Sequence, residues 1–515
     1  MNASSLLLAT LAEEGATAFE KFLPILVLLA VVTVVLMRLP RADLGGHEHS
    51  AAFRKRRVFN WLPLGLTYAF LYMGRYNIKV SQHFFGDMRL ADGITPMMTN
   101  SGFAEIFFWG TLTYGSSFLI NGPLTDRIGG KRAILLGAAG ASLANIAMGL
   151  VTWVLVSRPD GDLAATLGPN LAIVFSALYA VNMYFQSFGA VAIVKCNAPW
   201  FHVRERGVFG AIFGILISLG IYFAFDWGYM IASSQPLHWL FFVPAILLLG
   251  FWVLDFFIVK DTPALAGLES FDTDDASSGD DGPALSTAQV FKRMFTNPVI
   301  MTIALVEFCS GFMRQAIMQW FRTFAKQTDD ALHLEGTWVY DNWGVLLCAA
   351  GILGGVFAGT ISDHLFKSRR GPVAAVLYGL MLVSSIILVF TFKSDIMVFG
   401  VHIAVIEVLV IFMSMCVIGV HGMLSGTASM DFGGSKNVGI AVGIIDGFVY
   451  AGTAFMSILY GFILPSDVAD PATGIVAAAD PDNWRVWPLS MIPVALVGLF
   501  LASRVWNATP KNSKS

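Results

Sequence analysis

The stretch "GPLTDRIGGKRAIL", Gly122–Leu135, lies between two long apolar runs and packs four charges into seven residues. A short charged turn between apolar runs marks a membrane surface, and its Lys and Arg mark the cytosolic side. A second stretch, "GTISDHLFKSRRG", Gly359–Gly371, holds the same place in the second half of the chain. Both read G-x-x-x-D-(R/H) with basic residues after. Repetition at this scale indicates a duplicated unit. Between the copies runs "ESFDTDDASSGDDGPALS", Glu269–Ser286, acidic, rich in Ser and Gly and without periodicity. That composition reads as a flexible linker.

The whole chain has 515 residues, 56% hydrophobic and 13% charged, with a formal net charge of -3. Soluble domains carry about 25% charged residues, so an all-α membrane protein is expected. Twelve main spans are read at 60–82, 102–122, 133–156, 170–194, 208–232, 238–259, 298–322, 342–364, 372–392, 398–424, 437–462 and 486–505. Each suits a hydrocarbon core of roughly 30 Å. An extra transmembrane helix over 22–37 precedes them; its basic flank, Arg38 and Arg41, follows the apolar run, unlike a signal peptide. Basic residues gather in the connections that hold Arg54, Lys55, Arg56 and Arg57, then Lys131 and Arg132, then Lys367, Arg369 and Arg370. This bias places the linker and C-terminus in the cytosol and the N-terminus outside. The expected division is 1–58 for the extra helix and a basic segment, 59–259 for one six-helix bundle, 260–297 for the linker, 298–506 for the second bundle and 507–515 for a tail. Cys196, Cys309, Cys348 and Cys416 show no metal or disulfide spacing and read as small core residues. Sequons at Asn2 and Asn507 are short enough to arise by chance. No metal motif, nucleophile elbow or nucleotide-binding glycine loop is seen, so neither an enzyme nor a cofactor is implied.

The first repeat resembles the loop signature of the major facilitator superfamily. "RERG", Arg204–Gly207, adds a further match. Several stretches resemble the organophosphate:phosphate antiporters, which include glycerol-3-phosphate and hexose-6-phosphate transporters and a related sugar-phosphate sensor. They are "YAFLYMGRYN", Tyr68–Asn77; "FQSFGAVAIVKCNAPWFHVRERGVFGAIFG", Phe185–Gly214; "FCSGFMRQAIMQWF", Phe308–Phe321; and "GSKNVGIAVGIIDGFVYAG", Gly434–Gly452. The similarity covers about residues 55–505. It implies two six-helix bundles related by a pseudo-twofold axis, a site near the midplane and alternating access. It also implies exchange of a phosphorylated metabolite for inorganic phosphate, in a bacterial inner membrane, by a monomer without nucleic-acid partners. The sensor relative implies a signalling partner as the other reading. Gly122, Asp126, Arg127, Arg206, Asp363 and Arg369 would then form a cytosolic gate. The alternative is a loop that only fixes topology.

Arg75 and Arg314 stand mid-span in the first helices of the two halves. Counted from the helix starts they lie about 22 Å and about 25 Å along. Two guanidiniums at one depth suit a phosphate dianion, which accepts bidentate hydrogen bonds, and the pair matches the family's phosphate-binding arginines. The alternative is neutralisation by a fixed carboxylate, with Glu307, Asp446 and Glu105 as candidates. Tyr68 and Tyr72 precede Arg75 on its helical face and match cavity tyrosines of the family; a core role is equally open. Lys79 either adds positive field or snorkels to the outer interface. Glu307, Glu407 and Asp446 lie within spans and are candidates for proton carriage or for helix–helix hydrogen bonding. His402 and His421 read as interface residues. The chain departs from the family at Phe118 and Ile217, where the glycerol-3-phosphate carriers have a Lys and a His. A different or more weakly bound anion is therefore expected, and proton-coupled symport of a non-phosphate organic anion stays open.

Overall fold

The computed structural model describes residues 49–202, 205–271, 273, 287–366, 370–398, 401–425 and 429–507. The expected extra helix, the centre of the linker, Arg204, Arg369 and the last eight residues of the tail lie outside that set, as do the side chains of Arg206, Asp363 and His402. Twelve long helices are described, six before the linker and six after it. They are α1 Ala51–Phe85, α2 Asn100–Ile128, α3 Gly130–Ser157, α4 Leu171–Asn197, α5 Arg206–Tyr222 and α6 Trp239–Ile258. After the linker come α7 Pro298–Gln327, α8 Trp343–Leu365, α9 Arg370–Thr391, α10 Val405–Met423, α11 Ser429–Ile463 and α12 Val486–Arg504. The end where α6 stops and α7 starts is called the linker end below.

Local chemistry sets the helix starts. The Ser50 hydroxyl accepts from Phe53 N–H at the start of α1, and Thr99 accepts from Gly102 N–H at the start of α2. Asn297 accepts from the N–H groups of Val299 and Ile300, with Pro298 in the first helical position. Between α2 and α3 the repeat loop turns on Gly129 at φ 90°, a conformation that favours glycine. Asp261, beyond α6, accepts from Lys131 N–H at 2.7 Å and ties this loop to the end of the bundle.

Among the described residues nine helices are long and apolar enough to cross a membrane. Helices α1, α2 and α8 are not among them: the described apolar part of α8, Trp343–Ala358, is shorter, and α1 carries interior polar groups, with Arg75, Asn77, Lys79 and Gln82 all buried. The bilayer-facing surface is carried by side chains such as Phe257, Phe390 and Phe462, exposed by 70%, 80% and 83%. Two findings differ from expectation. The tenth span starts at Val405, not 398, since Asp395–Val398 pairs antiparallel with Val401–Ala404. β-Branched Ile396, Val398, Val401 and Ile403 favour that hairpin. The linker is ordered at both edges, with a 3-10 turn at Ala264–Ala266 and a helix at Thr287–Phe295. Phe271 packs edge-on against Phe53, which fixes the first edge on α1.

Helix α5 continues through a π turn, Phe223–Trp227, into Gly228–Ser234. The turn presents Asp226 to the start of α8, where its carboxylate accepts from Gly344 N–H and Val345 N–H at 2.8 Å each. This bond joins the two halves at the end opposite the linker. Asn100 N–H to Asp467, Asn100 to Gln327 and Lys326 to Asp87 join them at the same end. The described hydrogen bonds between halves thus run from the level of Arg75 to the end opposite the linker.

Within the second half, α7 and α11 cross in near backbone contact. A Cβ on Gly311 would meet Val449 O at 1.9 Å, and one on Gly452 would meet Phe308 O at 1.9 Å. Overpacking costs about 1–3 kcal/mol and more where backbone is struck. Gly311→Leu is expected to lower the thermal unfolding midpoint of the detergent-extracted protein by several degrees or to prevent monodisperse extraction. Gly250→Leu, which meets nothing within 4 Å, is the control expected to leave the midpoint in place.

Candidate functional site

Arg75 is fully buried on α1. Its Nε donates to Gln186 Oε1 at 2.8 Å, one terminal nitrogen to the Tyr450 hydroxyl at 2.7 Å and the other to the Tyr114 hydroxyl at 3.0 Å. The guanidinium lies over the rings of Tyr72 and Tyr114, at 4.5 Å and 4.4 Å. These partners come from α4, α11 and α2, so both halves hold the cation. All of them are neutral. Among the described residues no carboxylate stands within 4.0 Å of Arg75 or Arg314.

The orientation of Gln186 is set behind it. Its Nε2 donates to Asn182 Oδ1 at 3.0 Å, and Asn182 Nδ2 donates to Gly74 O at 2.8 Å. Asn77 Nδ2 bonds Asn145 Oδ1 at 2.7 Å beside them. This buried amide chain links α1, α3 and α4 and turns the Gln186 oxygen toward Arg75. Fully satisfied networks of this kind fix geometry.

Arg314, on α7, lies within electrostatic range of Tyr72, Tyr76 and Tyr450, as Arg75 does, and its neighbour Gln315 donates to the Tyr76 hydroxyl at 3.0 Å. The two arginines thus share a tyrosine environment. Arg314 differs in having no partner among the described residues. It donates to no described residue, and its buried Nε has no acceptor. A buried donor left unmade costs about 1–3 kcal/mol, and more when charged. An anion between the two guanidiniums would remove that cost.

The candidate carboxylates take other places. Glu307 is buried, and its Oε2 pairs with His421 Nδ1 at 2.8 Å rather than with Arg314; its Oε1 has no partner. His421 thus belongs to the interior of the second half and not to an interface, because α10 turns that face toward α7. Asp446, one turn before Tyr450, accepts from the Ser425 hydroxyl. Glu105 is exposed and reaches neither arginine. Glu407 caps α10, accepting from Ala404 N–H at 3.3 Å and from Thr337 Oγ1 at 2.5 Å. Lys79 does not snorkel: it is buried and donates to Gln82 Oε1 and Thr323 Oγ1 at 2.5 Å each. Tyr68 packs edge-on against Tyr72 at 5.3 Å. Phe118 is buried edge-on against Tyr114 at 4.9 Å, and Ile217 is partly buried.

At the linker end, Asp126 pairs with Lys195 of α4 at 2.7 Å, while Arg127 is exposed and Gly122 buried. Arg57 donates to both oxygens of Glu205, at 3.0 Å and 2.9 Å, from the "RERG" turn. Sequence reasoning missed Gln186, Tyr114 and Tyr450 as arginine partners, together with His421. A signal was available: a mid-span Arg needs acceptors, and Gln186 and Tyr450 are polar residues inside otherwise apolar runs.

A family model described as Major Facilitator Superfamily matches residues 84–457. The glycerol-3-phosphate transporter of Bacillus subtilis (strain 168) is 23% identical over 482 residues, covering 89% of this chain and 94% of that protein. The membrane sensor protein UhpC of Salmonella typhimurium is 22% identical over 428 residues, covering 79% and 85%. A probable hexose phosphate transport protein of Chlamydia pneumoniae is 22% identical over 427 residues, covering 78% and 82%. Among solved structures, the nucleoside transporter NupG shares the fold with a TM-score of 0.56 at 11% identity, over 87% of this chain and 99% of that one.

His421→Ala leaves both Glu307 oxygens without a partner, at a cost of about 1–3 kcal/mol. Thermal unfolding should show the loss, and Glu307→Gln in the same background should recover part of it. An unchanged midpoint would mean that the pair does no structural work. For Glu205, burial pushes the carboxyl up, but Arg57, the His202 N–H and His49 outweigh it and hold it below the usual carboxylate range. A depressed folded-state value gives stability that is present above the unfolded value, near 4.3, and is lost as pH falls through the folded one. Arg57→Gln is therefore expected to destabilise the protein at neutral pH and to flatten the acid limb of its pH–stability curve.

Proposed function

Since the chain belongs to the Major Facilitator Superfamily, a family of transporters and not enzymes, we propose that it moves a phosphorylated metabolite across the membrane in exchange for inorganic phosphate. Glycerol 3-phosphate and sugar phosphates are the first candidates, by kinship with relatives named for them. The observation that carries the reading is the pair Arg75 and Arg314, one from the first helix of each half, with no described carboxylate beside either. The substrate supplies the missing negative charge, with Tyr68 and Tyr72 lining its place.

The mechanism is alternating access by rocking of two bundles, 59–259 and 298–506. An anion between the guanidiniums lowers the cost of drawing the halves together, and an empty carrier with two uncompensated cations returns slowly. That asymmetry favours exchange over leak. The bonds of Asp226, Asn100 and Lys326 between halves break when the end opposite the linker opens. The Asp126–Lys195 pair works at the linker end, and the gate roles of Arg206, Asp363 and Arg369 rest on the repeated loop motif in the sequence. That end faces the cytosol of a bacterial inner membrane, the N-terminus lies outside, and the carrier acts as a monomer. A second reading rests on Glu307 with His421 and on Asp446: buried acids beside the site suit proton-coupled symport of an organic anion. A third, sensing through a signalling partner, rests on the kinship with UhpC.

Counterflow in proteoliposomes separates them. With inorganic phosphate inside, uptake of labelled glycerol 3-phosphate or glucose 6-phosphate is expected, and Arg75→Ala or Arg314→Ala should each abolish it. Binding without flux would favour the sensor. Neither binding nor flux, with uptake of another anion driven by an inward proton gradient, would favour symport.

A further inference from the structure

One turn beyond Arg75 on α1, and about two turns beyond Arg314 on α7, lies a second pair of buried cations, Lys79 and Arg322. They are 1% and 3% exposed. The Lys79 ammonium stands 4.4 Å from the Phe103 ring and 4.9 Å from the Trp320 ring, and its hydrogen-bond partners, Gln82 and Thr323, are neutral. Thr323 directly follows Arg322, and Arg322 is the charge that acts on Lys79. The Arg322 guanidinium lies over the rings of Tyr229 and Tyr340, at 4.3 Å and 4.5 Å. Its Nε has no acceptor.

Fixed carboxylates do not account for this pair. Asp226 acts on Arg322 electrostatically but makes no ion pair with it, and its two oxygens accept from Gly344 N–H and Val345 N–H. Among the described residues no acid comes within 4.0 Å of either cation. Ring faces and hydroxyls solvate a charge without neutralising it. Two like charges buried in one region of a membrane domain, linked through Thr323 and one with an unused donor, mark a place for a transient anion. Gln319, one turn before Thr323 on α7, adds a buried amide oxygen without a partner, so the seam between the two pairs is itself polar.

We propose that Lys79 and Arg322 form a second anion subsite, and that the carrier is built for a solute with two anionic groups. The phosphate sits between Arg75 and Arg314. The second group, a carboxylate or another phosphate, sits between Lys79 and Arg322, ~6 Å farther along α1 and ~12 Å farther along α7. This deepens the exchange reading above and rests on it.

The test measures binding to the purified full-length protein with two probes. Glycerol 3-phosphate carries one anionic group, and 3-phosphoglycerate carries a phosphate and a carboxylate. The wild-type protein is expected to prefer 3-phosphoglycerate at least tenfold. Lys79→Gln and Arg322→Gln should each bring that ratio close to one, while Lys79→Arg, which keeps the charge and guards against misfolding, should retain it. A wild-type ratio near one, or a ratio that neither Gln variant moves, overturns the subsite. Arg75→Gln tests the underlying reading separately: it should weaken both probes. If it weakens neither, the exchange site fails, whatever Lys79 does to the ratio.

Discussion

A guanidinium buried with no described counter-ion organises this molecule. Arg75 sits in a bundle where an unpaired cation costs about 2.5–3.5 kcal/mol even on insertion scales. The chain meets that cost with three neutral oxygens and two ring faces rather than with a carboxylate. The choice has consequences. A carboxylate would satisfy the charge permanently, whereas phenols and an amide hold it in place and leave its charge unspent. The amide chain through Gln186, Asn182 and Asn145 serves that single geometry, and it explains why α1, α3 and α4 carry polar side chains in a region that hydrocarbon surrounds.

The unspent charge is repeated along one seam. Arg75 and Lys79 belong to α1, Arg314 and Arg322 to α7; the halves pack through α2 on α11 and α5 on α8, and α1 and α7 reach each other through side chains, Lys79 to Thr323 and Gln315 to Tyr76. Acids of the same region are directed elsewhere: Glu307 to His421, Asp446 to Ser425, Asp226 to the start of α8. Charge of one sign is thus concentrated where the halves separate, and charge of the other sign is tied down within or between neighbouring helices. Fields of this kind attract an oppositely charged solute and resist closure without one.

Asp226 shows how secondary structure and this arrangement connect. The π turn in α5 shifts the helix register by one residue and presents the carboxylate to the first N–H groups of α8. Those groups have no intrahelical partner and carry the positive end of the helix dipole. The bond is strong enough to help seal the end opposite the linker, yet it is a single contact that a rocking motion can break. At the level of the arginines, by contrast, α7 and α11 cross in near backbone contact at Gly311 and Gly452, which makes the second half a rigid unit.

Composition, the repeated G-x-x-x-D loop and the span count determined the fold, because hydrocarbon thickness and loop charge leave a chain little freedom. The mid-span arginines were legible for the same reason: a cation in an apolar run stands out against its background. The partners of those cations were not. Whether Glu307 faces Arg314 or His421 depends on the rotation of α10 against α7, and helix spacing within one segment carries no information about that. Lys79 was ambiguous because one residue at one depth suits both snorkelling and burial, and only the packing of Phe103 and Trp320 around it decides. The hairpin before α10 and the ordered linker edges likewise depend on contacts made after folding. The sequence by itself determined a twelve-helix membrane fold with an arginine in the first helix of each half. The tertiary structure alone decided that no described carboxylate meets them, because pairing is a property of helix rotation and packing, and each helix fixes only its own face.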